Sequence, residues 1–333
     1  MASKKKVAVK TAKKQTANTA PDQTSKANKM MARILVVVVF LACAWEALQM
    51  LNHDVPKLKT ELVLKLNAEI KGAGVFIPWG AAAIGKDKIV VADNQNNRLL
   101  EFNRKGDFVK SWGKLGKGAV EFHEPSGMTA DDQGNAYVLD AWNSAIKGFN
   151  ENGKEIANID LTNQGFFGPR GLAFDNGNFL IADTGSHRVV LVGPKGNLIS
   201  SMGNMGTGEG HFKGPLATAT DGKGHYYVAD TDNNRVQYLD SAFKKIKYFE
   251  LTGKVNSVAV DKEGRVYVGT DANDGEVKVF NSNGSVLGTL VDNSGSGEPF
   301  RGAKFMTVTS DDMLLMTNGD SVYLYNLPNF NQK

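Results

Sequence analysis

Three acid–base pairs at one fixed separation are the side chains best placed for chemistry in this chain: Asp93 with Arg98, Asp183 with Arg188, and Asp230 with Arg235. In each pair the aspartate closes one apolar run and the arginine opens the next, five positions on. A carboxylate facing a guanidinium across such a turn accepts charge-assisted hydrogen bonds, so the pairs read as structural clamps. Their recurrence favours scaffold over catalysis, because a reaction site is usually built once. Asp140 faces Ala145 at the equivalent place, and the turn there is expected to lack its clamp. His53, His123, His187, His211 and His225 lie in separate segments, and no paired carboxylates, serine elbow or phosphate loop accompany them. Gly206-Thr-Gly-Glu-Gly210 has nucleotide-like glycine spacing. It links two β segments, however, where a dinucleotide fingerprint must follow a strand and open a helix. No metal and no cofactor are expected.

The pairs sit in copies of one pattern. IVVADNQNNRLLEF (89–102), FLIADTGSHRVVLV (179–192) and YYVADTDNNRVQYL (226–239) are the clearest, and looser copies begin at 136, 266 and 314. Aligned on Asp93, Asp140, Asp183, Asp230, Thr270 and Thr317, they are spaced by 47, 43, 47, 40 and 47 residues. A period in the forties with strand-like content indicates propeller blades. Within a copy, short runs such as GLAFD, FLIAD, RVVLV and NLISSMG are separated by Gly, Asn and Asp, which gives four strands with tight turns. No amphipathic helical pattern follows residue 62. The sixth copy supplies only three strands (306–309, 313–317 and 322–327), while an unassigned strand, 61–70, precedes the first. Pairing the two removes both exposed edges. The expectation is an all-β, six-bladed propeller of four-stranded antiparallel blades over residues 61–333, closed by that N-terminal strand.

Asp183-Thr-Gly-Ser-His-Arg-Val189 and its equivalents resemble the NHL repeat. The glycine-rich stretches GNMGTGEGHFKGP (203–215) and GKLGKGAVEFHEP (113–125) are similar to that family's link between blades. The resemblance covers residues 77 to about 290 and implies a fold far more than an activity. Enzymes on related propellers place metal ligands at the mouth of the central channel, near the start of each innermost strand, and amidating lyases sharing this repeat use histidines there. The corresponding places here are Trp79, Ser126, Arg170, Leu216, Asn256 and Lys304. Zinc wants His, Cys or carboxylate, and calcium wants charged oxygens, so this set points away from lyase and lactonase chemistry. Trp79, Ser126, Arg170, Asn256 and Lys304 instead have the composition of a pocket for a carboxylate, a phosphate or a sugar.

The formal charge of +4 hides an asymmetry. Residues 1–33 hold nine basic side chains against Asp22 alone, a charge of +8, which leaves −4 for the rest. That tail has too little apolar surface to order itself. Residues 34–51 follow as a stretch of 18, the length at which a helix begins to span a bilayer. The expectation is a transmembrane signal anchor with the basic tail in the cytoplasm and a periplasmic propeller. A signal peptide cleaved after Ala44 and a lipoprotein signal acylated on Cys43 are the alternatives, and both also export the propeller. Cys43 is the only cysteine, so the exported domain has no disulfide. Residues 52–60 read as a linker. A net-acidic exported ring is a poor nucleic-acid binder. The reading is therefore a membrane-tethered scaffold for a protein partner or ligand. The alternative is a lyase or hydrolase of small peptidic or sugar-like substrates at the channel mouth.

Overall fold

Turn chemistry sets the strand boundaries. Asn103 Oδ1 accepts hydrogen bonds from the amides of Lys105 and Asp107, both at 2.9 Å, around left-handed Gly106. Asn150 does the same around Gly153, and Asp240 around Phe243. The next hairpin class uses aspartate: Asp131, Asp221 and Asp261 each accept from the amides two and four residues ahead. These side chains offer the backbone a local alternative to the ladder, so strands stop there.

A computed structural model describes Met31 and residues 55–85, 87–294, 300 and 302–330. Blade 1 comprises Pro78–Ile84, Lys88–Asp93, Arg98–Asn103 and Phe108–Trp112. Blade 2 comprises Pro125–Ala130, Ala136–Asp140, Ala145–Phe149 and Glu155–Asp160, and blade 3 Gly171–Asp175, Asn178–Asp183, Arg188–Val192 and Leu198–Met202. Blade 4 comprises Pro215–Thr220, Tyr226–Asp230, Arg235–Leu239 and Lys245–Glu250, and blade 5 Val255–Val260, Val266–Thr270, Glu276–Phe280 and Val286–Asp292. Blade 6 takes Phe305–Val308, Met313–Thr317 and Ser321–Asn326 from the C-terminus and its outer strand, Leu62–Asn67, from the N-terminal side. Each innermost strand packs on the next, and the sixth on the first, so six antiparallel blades close a ring.

Alternation along each strand sends apolar side chains into the spaces between blades. One core cluster fills each interface. The closing interface joins Leu66, Leu315, Val322 and Leu324 of blade 6 to Ile89, Val91, Leu100 and Phe102 of blade 1. Leu64 pairs with Leu324 and Leu66 with Val322 in the antiparallel ladder.

Two N-terminal boundaries differ from expectation. The 61–70 strand is split: Leu62–Asn67 enters blade 6, whereas Glu69–Ile70 turns back on Gly74–Val75 as a small hairpin. Part of the expected linker is a strand, since Lys57–Thr60 pairs in parallel with Val286–Asp292 and gives blade 5 a fifth member. Alternating charged residues after Pro56 look like linker in isolation, and only the open edge of blade 5 makes them a strand. Among the described residues no helix is long and apolar enough to cross a membrane. The candidate anchor at 34–51 lies outside the described residues.

Candidate functional site: the channel mouth and its supports

The face of the ring that carries the turns between second and third strands, and the links between blades, is held by the repeated aspartates. Asp93 Oδ2 accepts from Arg98 Nε, Asp183 Oδ2 from Arg188 Nε and Asp230 Oδ2 from Arg235 Nε, each at 2.7 Å. The other carboxylate oxygen accepts a backbone amide of the preceding link: Ile77 N for Asp93, Phe167 N for Asp183 and Lys213 N for Asp230. The guanidinium continues outward to link carbonyls, as Arg188 does to Gln164 O at 2.7 Å. Each pair therefore ties a link to a blade as well as closing its turn.

Blade 2 has its clamp after all. Lys147, two residues beyond Ala145 and on the same strand face, places Nζ 3.0 Å from Asp140 Oδ2. Its side chain is 1 % exposed; it also donates to Gly118 O and Glu121 O and lies under the Phe122 ring at 5.0 Å. Asp140 Oδ1 accepts His123 N at 2.7 Å, as its counterparts do. The lysine's stem spans the extra distance that the arginine fork covers elsewhere. In blade 5, where Thr270 replaces the aspartate, Asp271 Oδ1 accepts Lys254 N.

These links deliver the start of each innermost strand to the axis. Asn94 and Thr184 side chains donate to Pro125 O and Pro215 O of the next blade, and Thr317 Oγ1 donates to Trp79 O at 2.6 Å across the closing interface. Gly127 N donates to Arg170 O at 2.9 Å, and a Cβ on Gly127 would stand 2.5 Å from that oxygen. Glycine is needed there for blades 2 and 3 to approach closely enough to fix Arg170.

Of the expected mouth residues, three converge. The Arg170 guanidinium lies 4.8 Å from the Trp79 ring centre, and Lys304 Nζ lies 5.4 Å from the same ring. Both are within cation–π range, worth roughly 0.5–2 kcal/mol each depending on exposure. Glu124 Oε2 approaches Arg170 Nη1 at 3.5 Å and leaves most of the guanidinium unanswered. Asn256 and Leu216 are partly exposed at the starts of the innermost strands of blades 5 and 4. Ser126 is fully buried and turns to Leu139 O and Pro169 O, so it belongs to the wall. Among the described residues no three His, Cys, Asp or Glu side chains gather into a metal-binding group. His187 accepts Gly214 N, His211 and Glu209 O share a contact, and His225 pairs with Asp221 at 2.7 Å. His53 lies outside the described residues.

The opposite end was not legible as a site. Cavities of about 240 and 550 Å³ open where the innermost strands end, lined by Thr129, Thr218, Thr307, Asp132, Asp261 and Lys262 among others. Their walls are hairpin backbone and short side chains, which carry no motif. Behind them Tyr137, Tyr226 and Tyr267 donate to Asp131, Asp175 and Asp261 at 3.1, 2.9 and 3.0 Å. Burial and then the adjacent carboxylate push the Tyr137 phenol up to about 12, and the same causes push Tyr226 and Tyr267 upward.

Residues 82–167 match the profile of a 6-bladed beta-propeller family, and residues 166–190 match the NHL repeat. The chain is a six-bladed propeller that carries an NHL repeat. Among solved structures, a gluconolactonase from Xanthomonas campestris superposes with a TM-score of 0.60 at 16% identity, over 83% of this chain and 96% of that one. Virginiamycin B lyase from Staphylococcus aureus, crystallised with quinupristin in an inactive form, gives 0.58 at 11% identity, over 79% and 99%. A protein of unknown function from Bacteroides caccae gives 0.51 at 18%, over 68% and 85%. At these identities the propeller shares a fold with them.

Proposed function

We propose that this NHL propeller is a binding scaffold that receives an acidic group, from a ligand or a protein partner, at its channel mouth. The observation that carries the reading is the Trp79 ring with Arg170 and Lys304 both against it, two cations answered among the described residues by one distant carboxylate. A guanidinium with free donors beside an aromatic wall suits carboxylate or phosphate recognition. Carboxylate clamps behind the links into blades 1 to 5 favour recognition, because little ordering is left there for binding to accomplish. Residues 34–51 would tether the ring to the inner membrane, with residues 1–33 cytoplasmic and the propeller periplasmic. That placement rests on the apolar run and the one-sided basic charge of the sequence.

Thermal melting separates this reading from a lyase or hydrolase. Dicarboxylates, phosphates and acidic sugars should raise the melting temperature, a ligand at a hundredfold its Kd adding about 2.7 kcal/mol. The Arg170→Glu, Lys304→Glu double variant should lose the response. Stoichiometric zinc or calcium in the purified protein, with no response to acids, would favour the enzyme.

A further inference from the structure

Beside the mouth, on the same link face, lies a row of exposed apolar side chains that no fold requirement explains. Leu115 is 63% exposed, Phe167 62% and Trp142 46%, and Val120 is also exposed. They come from different links and turns yet adjoin one another. The Trp142 and Phe167 rings meet edge to face at 6.5 Å. Asn143, next to Trp142, donates to Gly116 O, next to Leu115. Phe167 stands three residues before Arg170 in the link that leads into the innermost strand Gly171–Asp175. Large apolar side chains grouped on a surface mark an interaction site.

Charge identifies what covers it. Arg170 follows Phe167 by three residues in the same link, and exposed Lys117 flanks Leu115; Lys117 meets no carboxylate at ion-pair distance among the described residues.

We infer that Leu115, Val120, Trp142 and Phe167, on the link face that also carries Arg170, form a docking surface for an acidic, apolar-anchored segment of a partner protein. This rests on the scaffold reading and adds the partner's chemistry: an aromatic or aliphatic anchor against Trp142 and Phe167, with a carboxylate a few residues away reaching the mouth. Tyr and Trp side chains at such centres carry much of the energy of protein recognition.

A random 12-residue peptide display library panned on the full-length chain in detergent is the probe, followed by affinity measurement on a synthetic copy of the most enriched peptide. Enriched sequences should combine an aromatic or aliphatic residue with nearby Asp or Glu. Phe167→Ser and Trp142→Ser, each with an unchanged melting temperature, should weaken that peptide by about tenfold or more, the loss expected of a hot-spot truncation. Peptides that lose binding in the Arg170→Glu, Lys304→Glu variant but ignore Phe167 and Trp142 would overturn the docking surface and leave the mouth reading standing. Peptides that need Phe167 and Trp142 but ignore the charge reversal would overturn both the acidic segment proposed here and the mouth reading. No enrichment, quenching of Trp142 by brominated lipid in proteoliposomes, or a dimer dissolved by Phe167→Ser would each overturn the proposal.

Discussion

At the residue scale, a buried carboxylate must find its cation, but the cation need not occupy the aligned position. The five-position spacing exposed Asp93, Asp183 and Asp230 with their arginines directly, because type and separation repeat. Lys147 was hidden because it answers Asp140 from seven positions on, although strand alternation puts residues 145 and 147 on one face. Removing one member of a buried pair strands the other charge, at about 3–5 kcal/mol. Lys147→Met should therefore approach that loss in a denaturant melt, whereas Arg188→Ala, whose guanidinium side chain is 26% exposed, should cost less. Equal losses would show that burial does not set the clamp's strength. The tyrosines make a second case. Their folded pKa values lie above the ordinary 10.0, so this stabilisation is complete below pH 10 and is lost as pH climbs toward about 12. Phenolate absorbance should accordingly lag in the native protein and appear with unfolding; free titration of all eight tyrosines near pH 10 would contradict it.

At the scale of elements, strands and hairpins were legible because Asn, Asp and Gly punctuate a period of two. Membership in a sheet was less so. Leu62–Asn67 could be assigned to blade 6 from arithmetic, since one copy lacked a strand and one strand lacked a copy. Lys57–Thr60 could not, because its partner edge exists only once blade 5 has formed. The closing strand should be a weak point of cooperative folding. Leu66 is 1% exposed in the interface between the last and first blades, and Leu66→Ala should cost about 2–5 kcal/mol, read as a lower denaturant midpoint. A change below about 0.5 kcal/mol, the range of a surface substitution, would mean that closure does not depend on this strand.

At the scale of the whole molecule, the ring brings together residues that no local pattern connects. Trp79, Arg170 and Lys304 come from blades 1, 3 and 6 and share one ring face. Their convergence was legible because each begins an innermost strand; the burial of Ser126 and the cavities at the far end were not, since both depend on how tightly blades pack. The central claim, an acidic group held at the mouth, is tested most directly by Trp79 fluorescence during titration with dicarboxylates and phosphates, taking the difference from Trp79→Phe. The account predicts a saturable change that weakens as salt screens the two cations and disappears in the Arg170→Glu, Lys304→Glu variant. A signal that persists unchanged in that variant would contradict it.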